Sequence, residues 1–174
     1  MKNFLVVVDM QNDFIDGALG TPEAVSIVDN VVRKIEGFNG NIFATFDTHY
    51  DNYLETSEGK NLPVSHCIKG TDGWNLNNKV LNALESKGYT QVEKLTFGSV
   101  DLPKLIEEKA DGDVFTIELI GLCTDICVVS NALILKTNFP EKYICVDSSC
   151  CAGVTPESHN AALETMKMCQ IDIK

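Results

Sequence analysis

Val114-Phe-Thr-Ile-Glu-Leu-Ile-Gly-Leu-Cys-Thr-Asp-Ile-Cys127 is the stretch on which the fold turns. Its first part, Val114–Gly121, is an apolar, β-branched run of strand length, and Asp125–Lys136 continues with a helical pattern. A buried strand that passes directly into a helix is half of a βαβ unit.

The alternation repeats outward in both directions. Asn3–Asp9 reads as a strand ending in an acid, and after Pro22 the residues Val25, Val28, Val31, Val32 and Ile35 have helical spacing closed by Gly37. Asn41–Phe46 is a second strand, Trp74–Ser86 a helix that Trp74 begins and packs, Tyr89–Lys94 a short strand and Leu102–Lys109 a short helix. Beyond the central stretch follow a strand at Lys142–Asp147, a helix at Pro156–Cys169 and an edge strand at Ile171–Ile173. This predicts an α/β fold of three layers, a mostly parallel twisted sheet with helices on both faces.

The bulk properties set the class. A chain of 174 residues with 44% apolar side chains has the size of one domain, taken as residues 1–174, and can bury a core unaided. Twenty-five acidic against fourteen basic residues give a net charge of −11, with no basic cluster to track a phosphate backbone, so nucleic acid and anionic membrane are not expected partners. No apolar run reaches the roughly 18 residues of a spanning helix, so a soluble, cytoplasmic protein is expected. The seven cysteines are odd in number and lie largely in apolar segments, which reads as reduced thiols rather than a disulfide framework.

In an open α/β sheet, ligands bind beyond the carboxyl ends of the strands. Asp9, Asp47, Lys94, Gly121–Cys127 and Asp147 all fall at such ends. A carboxylate there is partly desolvated and suits proton acceptance by Asp9, although a carboxylate in that position can equally cap a turn. Cys127 lies near a helix N-terminus, where the dipole favours a thiolate and free N–H groups can hold an oxyanion; Cys123 competes for the same role. The ammonium of Lys94 could hold the carboxylate and the sulfur together.

The second cluster sits in the long polar stretch Asp47–Gly73, a loop length that usually carries function. Asp47, His49 and His66 supply a carboxylate and two imidazoles suited to zinc, iron or manganese, and two of the chain's three histidines lie here.

Together Asp9-Met-Gln-Asn-Asp-Phe14, Thr45-Phe-Asp-Thr-His49, Pro63-Val-Ser-His-Cys67, Lys94 and Gly121-Leu-Cys-Thr-Asp-Ile-Cys-Val128 resemble the ordered motifs of nicotinamidase/isochorismatase-like cysteine hydrolases. The resemblance covers nearly the whole chain. It implies that Asp9 takes the thiol proton, that Cys127 attacks the carbonyl of a small amide, nicotinamide foremost, and that a thioester is then hydrolysed, with Lys94 balancing both groups. It further implies an oxyanion hole from the backbone N–H groups of Cys123 and Cys127, a cis peptide between Leu122 and Cys123, and a divalent metal on Asp47, His49 and His66 that meets a pyridine nitrogen. The fourth ligand is Glu58 or Glu55. The tryptophan common before the Pro-x-x-His segment is replaced by Leu62 and Pro63, so ring stacking falls to Phe14, Phe97 or Tyr53. Relatives of this type commonly form homo-oligomers, and self-association is expected here.

Two other readings are compatible with the residues. One is a metal-free hydrolase of a vinyl ether or N-carbamoyl compound. The other is a thiol-rich redox or metal-binding module built on Cys123, Cys127, Cys150 and Cys151, in which Cys123 and Cys127 share a helical face.

Overall fold

The computed structural model describes residues 1–174. Six parallel strands, β1 (Lys2–Val8), β2 (Asn41–Asp47), β3 (Thr90–Lys94), β4 (Phe115–Leu122), β5 (Tyr143–Ala152) and β6 (Asp172–Ile173), form one sheet in the order β3-β2-β1-β4-β5-β6. Strand order reverses between β1 and β4, the position at which such sheets bind ligands.

Period-two alternation builds both cores. Leu5 and Val7 of β1 point to the face covered by α1 (Asn12–Ile15), α2 (Pro22–Gly37) and α4 (Asn78–Lys87), where Ile27, Val31, Ile35, Val80 and Leu84 are buried. Phe4, Val6 and Val8 point to the opposite face, against Leu102 and Ile106 of α5 (Leu102–Ala110), Leu135 of α6 (Val129–Asn138) and Met166 of α7 (Pro156–Met168). Helix α2 starts where its sequence dictates: Thr21 accepts from the Ala24 N–H and Pro22 fills the first helical position, a cap worth about 1 kcal/mol. None of the helices is long and apolar enough to cross a membrane.

Three expectations need correction. The helix read from Trp74 begins at Asn78, capped by the Asn77 side chain on the Lys79 N–H. Trp74 lies in the preceding turn, where its Nε1 donates to Thr48 Oγ1 at 3.0 Å and its ring packs on Phe46. The loop 47–73 contains a 3-10 turn, Tyr53–Glu55, and a short helix, α3 (Ser57–Asn61), capped by Thr56 on the Gly59 N–H. Strand β5 runs on to Ala152, because after a shift in register Cys151 and Ala152 pair with Gly121 and Leu122. Cys150 and Cys151 therefore face opposite cores, and the thiol module built on that pair loses its geometry. All seven cysteines are unpaired.

Candidate active site and metal centre

The sheet's register brings the site together. Val8 lies beside Gly121, and Asp47 lies beside Lys94. Gly121 has φ +116°, and a Cβ there would meet the Val8 carbonyl oxygen at 2.1 Å, so only glycine lets β4 approach β1 at this point. Asp9 leaves β1 with φ +45°, a left-handed conformation that aspartate tolerates, and Thr45 Oγ1 donates to its Oδ1 at 2.7 Å.

Three segments distant in sequence meet at the Lys94 ammonium. Its Nζ lies 2.7 Å from Asp9 Oδ2, 3.0 Å from Asp47 Oδ1 and 3.5 Å from Cys127 Sγ. Asp9 and Lys94 side chains are 0% and 1% exposed. Asp9 Oδ2 makes that ion pair yet accepts no hydrogen bond in regular geometry, leaving a buried carboxylate oxygen with open acceptor capacity.

Leu122–Cys123 is a cis peptide. Cys123 is extended, and the helix expected from Asp125 opens instead as a π-helical turn, Thr124–Val128, in which the Val128 N–H donates to the Cys123 carbonyl at 3.0 Å. Single π-turns of this kind recur at functional sites. Cys123 and Cys127 therefore do not share a helical face, and only Cys127 reaches Lys94.

Charge in the site is set by burial and by Lys94. Burial and then the Asp9 carboxylate push the Cys127 thiol well up, against the opposing pull of Lys94. Burial likewise pushes Cys123 up to about 12. Burial raises the Asp9 carboxyl too, against the opposing pull of Lys94, which makes its carboxylate a stronger base. Burial works against the Lys94 ammonium, but Asp9, Cys127 and Asp47 outweigh it and raise its value.

On the far side of Asp47 lie the remaining polar groups. Asp47 Oδ2 is 3.0 Å from His49 Nε2 and 3.6 Å from His66 Nε2, and Glu58 Oε1 is 3.6 and 3.7 Å from the same two nitrogens. One ligand atom from each of the four residues falls within 4.8 Å of the others. His66 Nδ1 faces the Val64 carbonyl at 2.8 Å, which assigns its proton there and leaves Nε2 as a lone-pair donor. Two imidazoles and two carboxylates, converging and mostly buried, fit a divalent cation. Glu58 rather than Glu55 completes the set, because Glu55 lies exposed outside the group. Burial works against the Asp47 carboxylate, but His49, His66 and Lys94 outweigh it and hold its carboxyl below the usual range.

Several supporting residues escaped the sequence reading. Gln11 clamps the Asp47 backbone, accepting its N–H at 2.8 Å and donating to its carbonyl at 2.9 Å. Asp13 accepts from the Cys67 N–H at 2.7 Å and so fixes the segment carrying His66. Asn131 donates to the Cys127 carbonyl at 2.8 Å and accepts from Ser99 N–H at 2.9 Å, joining the turn that carries Cys127 to the segment after Lys94. Only Asn131 carried a signal, its spacing of one helical turn from Cys127.

A narrow cavity of about 50 Å³ lies over Cys127, lined by Phe14, Leu62, Phe97, Ile126 and the Asp47–His66 edge. It shares Glu58, Leu62, Phe97 and Ile126 with a wider outer cavity of about 800 Å³ whose wall includes Thr56, Ser57, Asn61, Thr96 and Ser130. Phe14 is buried with its ring edge-on to His66 at 5.5 Å, so it is both core and wall. Tyr53 packs edge-on to His49 and His66 at 4.7 and 5.0 Å and is absent from the cavity lining.

The fold and this site define a protein of isochorismatase type, and the chain belongs to that family: the isochorismatase domain matches residues 3–173. The nicotinamidase/pyrazinamidase of Mycobacterium tuberculosis is 26% identical over 186 residues, covering 97% of this chain and 96% of that protein. An uncharacterised isochorismatase family protein of Bacillus subtilis is 30% identical over 146 residues, 76% of this chain and 78% of that one. Among solved structures, the nicotinamidase/pyrazinamidase of Bacillus subtilis matches with a TM-score of 0.86 at 26% identity over 99% of both chains. The pyrazinamidase of Pyrococcus horikoshii, solved in complex with zinc, matches at 0.79 and 26% identity over 100% of this chain and 99% of that one.

Proposed function

We propose that this chain, one domain over residues 1–174, is a cysteine amidohydrolase that converts nicotinamide, or a closely related heteroaromatic carboxamide, to the acid and ammonia. The single observation that carries the reading is the Lys94 ammonium held between Asp9, Cys127 and a carboxylate of the metal group.

Asp9 takes the Cys127 proton as the sulfur attacks the amide carbonyl, and a carbon–sulfur bond forms while the carbonyl π bond opens onto oxygen. The backbone N–H groups of Cys123 and Cys127 receive that oxyanion. The carbon–nitrogen bond then breaks, Asp9 returns the proton, and ammonia leaves a thioester. Water, deprotonated by Asp9, attacks the thioester and expels the sulfur, which recovers its proton. Lys94 stays charged throughout and balances the developing thiolate. Asp47, His49, Glu58 and His66 would hold a divalent cation, zinc, iron or manganese, which when bound supplies a Lewis-acid contact for a ring nitrogen. Phe14, Leu62 and Phe97 would flank the ring.

The charge of the cavities favours a neutral amide. Neither cavity has a lysine or arginine in its wall, and Glu58 and Asp125 contribute negative charge. A substrate bearing a carboxylate would find no lysine or arginine in either wall to pair with it.

Ammonia release from nicotinamide, pyrazinamide and simple carbamoyl compounds tests the assignment. Cys127→Ala should lose on the order of 10⁴-fold or more in kcat with folding intact, and an active alanine variant would end the proposal. A cytoplasmic setting belongs to the same reading, supported by seven unpaired cysteines. So does self-association, supported by exposed Leu95, Phe97 and Val100 after β3; sedimentation as a monomer at micromolar concentration would remove it.

A further inference from the structure

The third histidine does not reach the metal group. His159 lies in the first turns of α7, and its Nδ1 is 2.8 Å from Thr124 Oγ1. Thr124 is fully buried and directly follows Cys123, the residue whose N–H is assigned to the oxyanion. The connection before α7 supplies a second tie, since the Val154 N–H donates to both carboxylate oxygens of Asp125 at 3.2 and 3.1 Å. Two consecutive residues of the nucleophile turn are therefore held by one neighbouring segment. Gly153 makes this approach feasible, because a Cβ there would lie 2.9 Å from the His159 Cβ and backbone nitrogen.

We propose that His159 is a positioning residue: its Nδ1 accepts the Thr124 hydroxyl proton and thereby fixes Thr124 and, through it, Cys123, whose N–H on the Leu122–Cys123 peptide receives the substrate oxyanion. This inference rests on the amidase reading above. Burial lowers the imidazole's value against the opposing influence of Asp125, which favours the neutral ring; in the tautomer with its proton on Nε2, Nδ1 accepts from Thr124. Losing an oxyanion donor outright costs about 10²–10³-fold in kcat, so releasing its support should cost roughly tenfold.

Three variants test this. His159→Phe keeps the ring volume and loses the acceptor, His159→Asn keeps an acceptor near the Nδ1 position, and Thr124→Val removes the donor. Each is assayed for kcat and KM on nicotinamide, for thermal midpoint, and for affinity toward pyridine-3-carbaldehyde. The aldehyde adds the Cys127 sulfur to its carbonyl carbon and places the resulting oxygen where the reaction places the oxyanion, with the thiol proton retained in the adduct.

The expected result is a roughly tenfold loss of kcat and of aldehyde affinity in His159→Phe, an unchanged KM, and substantial recovery in His159→Asn. Thr124→Val should match the phenylalanine variant, and the double variant should be no worse than either single one. Wild-type kcat and aldehyde affinity in His159→Phe would overturn the proposal, as would an asparagine variant as impaired as phenylalanine. If the wild-type chain traps the aldehyde with this His159 dependence but releases no ammonia from any amide, the amidase reading fails and the positioning role stands.

Discussion

The molecule contains two lysines that each bridge a pair of carboxylates, and they do different things. Lys94 joins Asp9 and Asp47, with side chains 1%, 0% and 4% exposed, and has a thiol within 3.5 Å. Lys34, on α2, joins Glu118 and Asp147 at 2.9 and 2.6 Å, with side chains 27%, 14% and 12% exposed. The second cluster is closed: Ser149 donates twice to Asp147, and Lys174 reaches the other oxygen of Glu118. The first is drier and has the Cys127 thiol beside its ammonium. Composition does not separate a reactive ion cluster from a structural one; dryness and a thiol within reach of the bridging ammonium do.

Replacing each lysine by methionine breaks that comparison most sharply. Lys94→Met leaves the buried Asp9 carboxylate without a counter-charge, so it should cost about 3–5 kcal/mol in chemical denaturation and reduce amidase turnover below detection. Lys34→Met should cost only about 1 kcal/mol and leave kcat unchanged, because its partners retain water, Ser149 and Lys174. Equal costs for the two variants would erase the distinction drawn between them.

Asp9→Asn is the next effect in size. The amide cannot accept the thiol proton, so kcat should fall by roughly 10²–10⁴-fold while metal content, measured by elemental analysis, stays at the wild-type level. Asparagine activity within a factor of two of wild type would move the base elsewhere.

Within the metal group the comparison narrows to two acids three residues apart. Glu58→Ala should weaken zinc binding by at least about tenfold in a competition titration, whereas Glu55→Ala should leave it unchanged. The reverse order would shift the fourth ligand to the 3-10 turn.

The convergence of Asp9, Asp47, Lys94 and Cys127 was legible because a parallel sheet gathers its strand ends, which assigns chemistry-bearing residues there to one rim. The candidate metal group was legible in part, from two histidines concentrated in one loop; the place of Glu58 in it depended on the Thr56-capped turn that points it inward. Gln11, Asp13, Thr45 and His159 were not legible as supports. Each acts across a long separation, 36 residues for Gln11 to Asp47 and 35 for Thr124 to His159, where no periodicity links donor to acceptor. For a related reason a helix terminus near the Cys127 thiol is visible in sequence, whereas its complete burial beside Asp9, which pushes the thiol up, is not.

The smallest effect concerns the closed cluster and its dependence on pH. Burial works against the Asp147 carboxylate, but Lys34 and Ser149 outweigh it and hold its carboxyl below the ordinary value. A group whose folded value is depressed stabilises the protein fully above its unfolded value, about 3.9, and loses that contribution as pH falls toward the folded value. Asp147→Asn should therefore be less stable than wild type by about 1 kcal/mol at neutral pH, the scale of a partly exposed pair. The gap should shrink between about pH 5 and pH 2, while ammonia release at neutral pH remains at the wild-type rate. A gap that stays constant with pH would mean that neither Lys34 nor Ser149 favours the ionised carboxyl in the folded protein, and would overturn the depressed value.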